Sequence, residues 1–143
     1  MKNIIALFGV SSIGKSETIK LLYAKLINEF KDFSFLNDFN QITNDKGDIR
    51  VIIVINGKII GIESQGDPNS RIFNSLPLFV KLNCDTIICA TRTRGSSTQA
   101  VEKLSTDYEI EWVKKNPSEN NFRIENDKDA SLIFEKIKTI LTH

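Results

Sequence analysis

Near the start of the chain, Gly9-Val10-Ser11-Ser12-Ile13-Gly14-Lys15-Ser16 sets two glycines, a lysine and a hydroxyl at the spacing Gly-x-x-x-x-Gly-Lys-Ser. Each residue type has a use if the task is to hold a polyphosphate. Glycine lets the backbone turn tightly, with Gly9 expected in a conformation closed to other residues, so that N–H groups converge on one point. A helix that follows cannot use its own first four N–H donors, and its dipole adds attraction for an anion. Lys15 would bring an ammonium group to the β and γ oxygens, and Ser16 a hydroxyl to a Mg²⁺ ion bridging them. The expected nucleotide contacts are therefore Gly9, Ser11, Ser12, Ile13, Gly14, Lys15, Ser16 and the first-turn Glu17.

A phosphate loop needs a second acidic element at the end of a neighbouring strand. Glu63 closes the apolar run Lys58-Ile59-Ile60-Gly61-Ile62 and is the expected partner of Ser16 at the metal. In the following Ser64-Gln65-Gly66-Asp67, Gln65 could orient water and the Gly66 N–H could meet a γ-phosphate. Asp67, before Pro68, reads either as a helix cap or as a base for an acceptor hydroxyl. Arg92 and Arg94 follow a second apolar run among Thr91, Thr93, Gly95, Ser96 and Ser97, a setting suited to phosphate oxygens and equally compatible with solvated loop arginines. Asp38 and Thr43 are further candidates to approach Mg²⁺, or ordinary loop residues.

The elements that position these groups follow from hydrophobic spacing. Asn3 to Phe8 reads as a buried strand entering the loop. Ile19, Leu22, Tyr23, Leu26, Ile27 and Phe30 form one stripe of a helix over 15–30. Asp32 to Asn37 alternates as a short strand, and the polar segment from Phe39 to Asp48 reads as a mobile loop. Val51–Ile55 and Lys58–Ile62, joined by Asn56-Gly57, predict an antiparallel hairpin. Asp67-Pro68 predicts a helix start, and Pro77 a break within that helix. Asp85 to Ala90 is a further buried strand, a helix starts near Ser97, and Glu109 to Val113 is a last strand. Lys114 to Asp127 reads as a surface connection before a final helix over 128–141. Strands alternating with amphipathic helices predict an α/β three-layer sandwich: a mainly parallel sheet with one antiparallel hairpin strand at its edge and ligands at the strands' carboxyl ends.

Composition bounds the rest. The chain of 143 residues is read as one domain, 1–143, with 19 basic against 18 acidic residues intermixed, so no basic stripe favours nucleic acid. Cys84 and Cys89, like Trp112, are expected in or near the core; the sole histidine, His143, offers no activating base for a thiol. Lys2 and Asn3 lead directly into the first strand, and no apolar run reaches spanning length, so a cytoplasmic protein without membrane partners is expected.

On the motif Gly9 to Ser16, the chain resembles the P-loop nucleoside triphosphate hydrolase superfamily. The hairpin ending in Glu63-Ser64-Gln65-Gly66 is similar to that of small GTPases, which ends in Asp-x-x-Gly. Where those GTPases read guanine with Asn/Thr-Lys-x-Asp, this chain has Thr91-Arg92-Thr93-Arg94, a cation in place of the guanine-binding acid. The resemblance therefore implies ATP rather than GTP, or loose base selection, with Mg²⁺. Three readings stay open: a phosphohydrolase using water, a small kinase in which Asp38 or Asp67 activates a hydroxyl while Arg92 and Arg94 clamp phosphate, and a module that binds nucleotide without turnover. A second small molecule or a protein partner is compatible with each.

Overall fold

The computed structural model describes residues 2–10, 13–42, 47–66, 71–116 and 122–142. The chain runs β1 (Lys2–Phe8), α1 (Lys15–Glu29), β2 (Ser34–Ile42), β3 (Ile49–Ile55), β4 (Lys58–Glu63), α2 (Ile72–Lys81), β5 (Thr86–Thr91), α3 (Ser96–Glu102), β6 (Tyr108–Lys114) and α4 (Phe122–Leu141). The strands form one sheet in the order β2-β3-β4-β5-β1-β6. β4, β5, β1 and β6 are parallel, whereas β3 is antiparallel to both of its neighbours.

Alternation along the central strands sorts the core into two layers. Ile5 and Leu7 pack with Ile19, Leu22 and Leu26 of α1 and Ile133 and Ile137 of α4. Ile4 and Ala6 pack with Ile72, Leu76 and Phe79 of α2 and Val101 of α3. A strand buried on both faces must be apolar at successive positions, as Ile4 to Leu7 is. No helix among the described residues is long and apolar enough to cross a membrane.

The Asn56-Gly57 hairpin forms as expected, with φ of 51° and 78° and Ile55 opposite Lys58, the two left-handed residues of a type I′ turn. Four expectations are corrected. First, the region from Phe39 is not all loop: β2 continues to Ile42 and pairs with β3 through an irregularity between Phe35 and Asn40, so the reversed strand β3 is not the edge. Polar composition is tolerated there because an outermost strand needs only one partner. Second, Pro77 lies inside an unbroken α2; the helix loses a single N–H donor, and Leu76 and Phe79 stay buried on either side. Third, α4 starts at Phe122, not near Lys128: Asn126 and Asp129, polar in sequence, are buried helix residues, and Asp129 is paired with Lys115 and Asn116. Fourth, Trp112 is 37% exposed and meets Phe8 edge to face at 6.3 Å.

Candidate phosphate and metal site

The parallel strands β1, β4, β5 and β6 all end at one edge of the sheet, where a ligand of an α/β fold is expected. β3 runs the other way, so its beginning lies at that same edge. Asp48, immediately before β3, is thereby carried beside the residues that follow β4: the Ser64 N–H donates to Ile49 O at 3.0 Å, and Ser64 Oγ accepts from Ile49 N at 2.9 Å.

At the end of β1 the chain enters the loop, and Gly9 N donates to Thr91 O at 3.2 Å, tying the loop's start to β5. Gly9 is not left-handed; a side chain there would collide with Ile13, so its requirement is room and not torsion. The left-handed residue is Gly14, at φ 91°. It caps α1 with no side-chain acceptor on the first N–H groups. Its carbonyl takes the Thr18 N–H and hydroxyl at 2.9 and 2.7 Å, leaving the first-turn donors of a 15-residue helix for another acceptor.

Lys15 is 7% exposed, and its Nζ donates to the loop's own Gly9 O at 2.5 Å and Val10 O at 3.2 Å. The ammonium is thus held within the loop by carbonyls that phosphate oxygens could replace. Ser16 Oγ donates to Asp48 Oδ1, and Ser64 Oγ donates to the same oxygen at 2.7 Å. A carboxylate 8% exposed with two hydroxyls on one oxygen is a compact, hard-oxygen cluster, built on the residue that follows Lys15. Such a set fits Mg²⁺, which is held by one or two carboxylates together with substrate phosphates and not by a closed protein cage. No group of three or more His, Cys, Asp or Glu able to hold a metal occurs among the described residues.

Glu63 does not meet Ser16. Its carboxylate is 0% exposed and receives Arg71 in fork geometry, Nε to Oε1 at 2.7 Å and Nη2 to Oε2 at 2.8 Å. Ser75 Oγ at 2.5 Å and Gln65 N at 3.1 Å complete its shell. The expected metal role of Glu63 is therefore replaced by an ion pair with the start of α2, and Asp48 is the acid at Ser16. Gln65 is engaged too, its Oε1 accepting from Arg71 N at 3.1 Å. Arg50 adds a second guanidinium toward Ser75 at 3.5 Å. Burial lowers its pKa, Arg71 lowers it further, and Glu63 works in the opposite direction.

Gly66 is buried where a side chain would strike Ala90 O, so the expected phosphate donor is pinned against β5. The Arg92 segment is folded on itself: Arg92 N donates to Ser97 Oγ at 3.0 Å, and Thr98 Oγ1 donates to Arg92 O at 2.7 Å. Arg94 is exposed, and Glu17 pairs with Lys20 at 2.7 Å. Ser11, Ser12, Thr43 and Asp67 lie outside the described residues, and Asp38 falls in β2. Cys84 and Cys89 are buried, free thiols, both pushed up to about 12 chiefly by burial, which removes nucleophilic chemistry at neutral pH.

Sequence reasoning missed Asp48, Asn126 and Lys115. Asn126 lies against the loop where a Gly14 side chain would be. Lys115, 1% exposed, pairs with Asp129 at 2.9 Å, and Asn116 donates to both oxygens of that carboxylate. α4 is thereby fastened to the end of β6 beside Gly9. The only local signal for Asp48 is an acid directly before a β-branched run, and that run's reversed direction was already legible in the hairpin.

Comparison of the chain with protein-family models, with curated proteins and with solved structures gives no match.

Proposed function

We propose that this protein binds a magnesium–nucleoside triphosphate, ATP in preference to GTP, and acts as a phosphohydrolase with a fold like that of the P-loop hydrolases. One observation carries the reading: Ser16 is hydrogen-bonded to the buried Asp48 beside Lys15, at the uncapped start of α1. Loop N–H groups and Lys15 would hold the β and γ phosphates, while Ser16 and Asp48 would hold Mg²⁺. The ion would supply charge neutralisation between those phosphates. Arg92, after β5 and next to the loop's start, is the nearest candidate for a phosphate contact beyond the loop.

A second reading, binding without turnover, is favoured by one feature. Glu63 and Gln65, the groups suited to handling water, are both engaged by Arg71, so hydrolysis requires that pair to open.

Titration calorimetry with ATP and GTP, with and without Mg²⁺, tests the site. Lys15→Ala is expected to weaken Mg-ATP binding at least about a hundredfold, the scale of losing a charge-assisted phosphate contact. Asp48→Asn is expected to abolish the Mg²⁺-dependent part of the affinity while leaving metal-free binding. Unchanged affinity in both variants would remove the reading. Phosphate release from bound ATP then separates hydrolysis from binding alone.

A further inference from the structure

α2 and α3 lie side by side on one face of the sheet and leave between them a groove of about 580 Å³. Its floor is apolar, formed by Phe73, Leu76 and Val80 of α2 with Ala100 and Leu104 from α3 and just beyond it. Phe73 is 37% exposed, a large ring left at the surface. The charged groups lining the groove are Lys81 and Lys103, with no carboxylate. Both stand at the same end, Lys81 in the last turn of α2 and Lys103 just after α3. Neither has an ion pair among the described residues. The other end is uncharged and polar, with Ser96 and Gln99.

We propose that this groove binds a small amphipathic carboxylate, its aliphatic body along Phe73, Leu76 and Val80 and its carboxylate between Lys81 and Lys103. The volume falls within the roughly 300–1,000 Å³ typical of small-molecule sites, which pair apolar walls with a few placed polar groups. From Phe73 to Lys81 the helix rises about 12 Å, a span suited to a medium-length acyl chain and short for a docked partner helix. Two full positive charges outweigh the partial negative charges at the ends of α2 and α3. The surfaces are complementary only to a ligand with one anionic end; a cationic or neutral amphiphile would leave the lysines opposed or idle. The residues named here take no part in the phosphate site, so the inference stands independently of nucleotide binding.

Decanoate and decyltrimethylammonium, each below its micelle concentration, provide the test in thermal-shift and calorimetric titrations of the full chain. Decanoate is expected to raise the melting temperature of the native protein and the cationic amphiphile to leave it unchanged, since only a ligand of the folded state stabilises it. In K81E/K103E, two surface changes, decanoate affinity is expected to fall about tenfold and that of the cationic amphiphile to rise. No shift with decanoate, equal shifts with both amphiphiles, or decanoate affinity unchanged in K81E/K103E would each overturn the assignment. So would binding of a synthetic Leu/Glu amphipathic helix where decanoate fails, which would give the groove to a protein partner.

Discussion

Glu63 illustrates what a carboxylate with no water contact demands. Four protein donors from Arg71, Ser75 and Gln65 surround it, and removing the cation would strand a charge in a place where it cannot be solvated. Arg71→Leu is therefore expected to cost about 3–5 kcal/mol in urea unfolding. Glu63→Leu/Arg71→Leu, which removes both charges, should recover most of that loss; a double variant as unstable as the single one would show that packing and not charge governs the position. At this scale the motif made Lys15 and Ser16 legible, because loop, lysine and hydroxyl are neighbours in sequence. Asp48 and Asn126 were not, because their partners, Ser16 and Gly14, are set by which strands lie side by side. Glu63 was misread for a different reason: its place at a strand end was right, but Arg71, eight positions on at the start of α2, claims its oxygens.

Among the elements, β4 and α2 are joined by a contact that fixes how closely they approach. A side chain added at Gly61 would come within 2.7 Å of the Phe79 ring, so this glycine is a matter of space at the sheet's surface. Gly61→Ala is expected to destabilise by about 1–3 kcal/mol, the usual range for an overfilled core, and Gly61→Ala/Phe79→Leu to lose less than Gly61→Ala alone in the same denaturation assay. Local signals announced the elements well where turn chemistry was strong, as at Asn56-Gly57. They failed at the second half of β2, from Phe39 on, and at the start of α4, where polar residues looked like connections. In β2 the free edge of β3 supplies the pairing; in α4 the helix is held by Asp129 under Lys115, with Asn126 lying over Gly14.

Across the whole molecule the sheet order is what the sequence leaves least determined. Alternating strands and helices predicted a parallel sheet covered on both faces, and that coarse α/β architecture is present. Nothing local indicated that β5 would separate β4 from β1, or that β2 would lie outside β3. The two buried thiols give the assembled core a pH signature. Their ordinary value is near 9 and the fold holds both up to about 12, by burial first, with Asp85 adding to Cys84 and Glu63 to Cys89. Folded and unfolded chains bind the same thiol protons below pH 9. Above it the unfolded chain releases them first, so stability falls as pH rises toward 12. The expected slope is about 1.4 kcal/mol per pH unit for each thiol, with Tyr108, also raised to about 12, adding in the same direction above pH 10. Urea midpoints between pH 7 and 10 check this, and Cys89→Ala should flatten the decline; an unchanged slope would place the titration elsewhere.

The reversed run of β3 has a consequence for biosynthesis. Ser16 leaves the ribosome early, but the carboxylate it touches comes 32 positions later, the hydroxyl sharing that carboxylate another 16 on, and the side chain lying over Gly14 only in the last helix. A nascent chain therefore carries these residues without their partners until β3, β4 and finally α4 have emerged, so the surroundings of Ser16 and Gly14 are assembled late in synthesis.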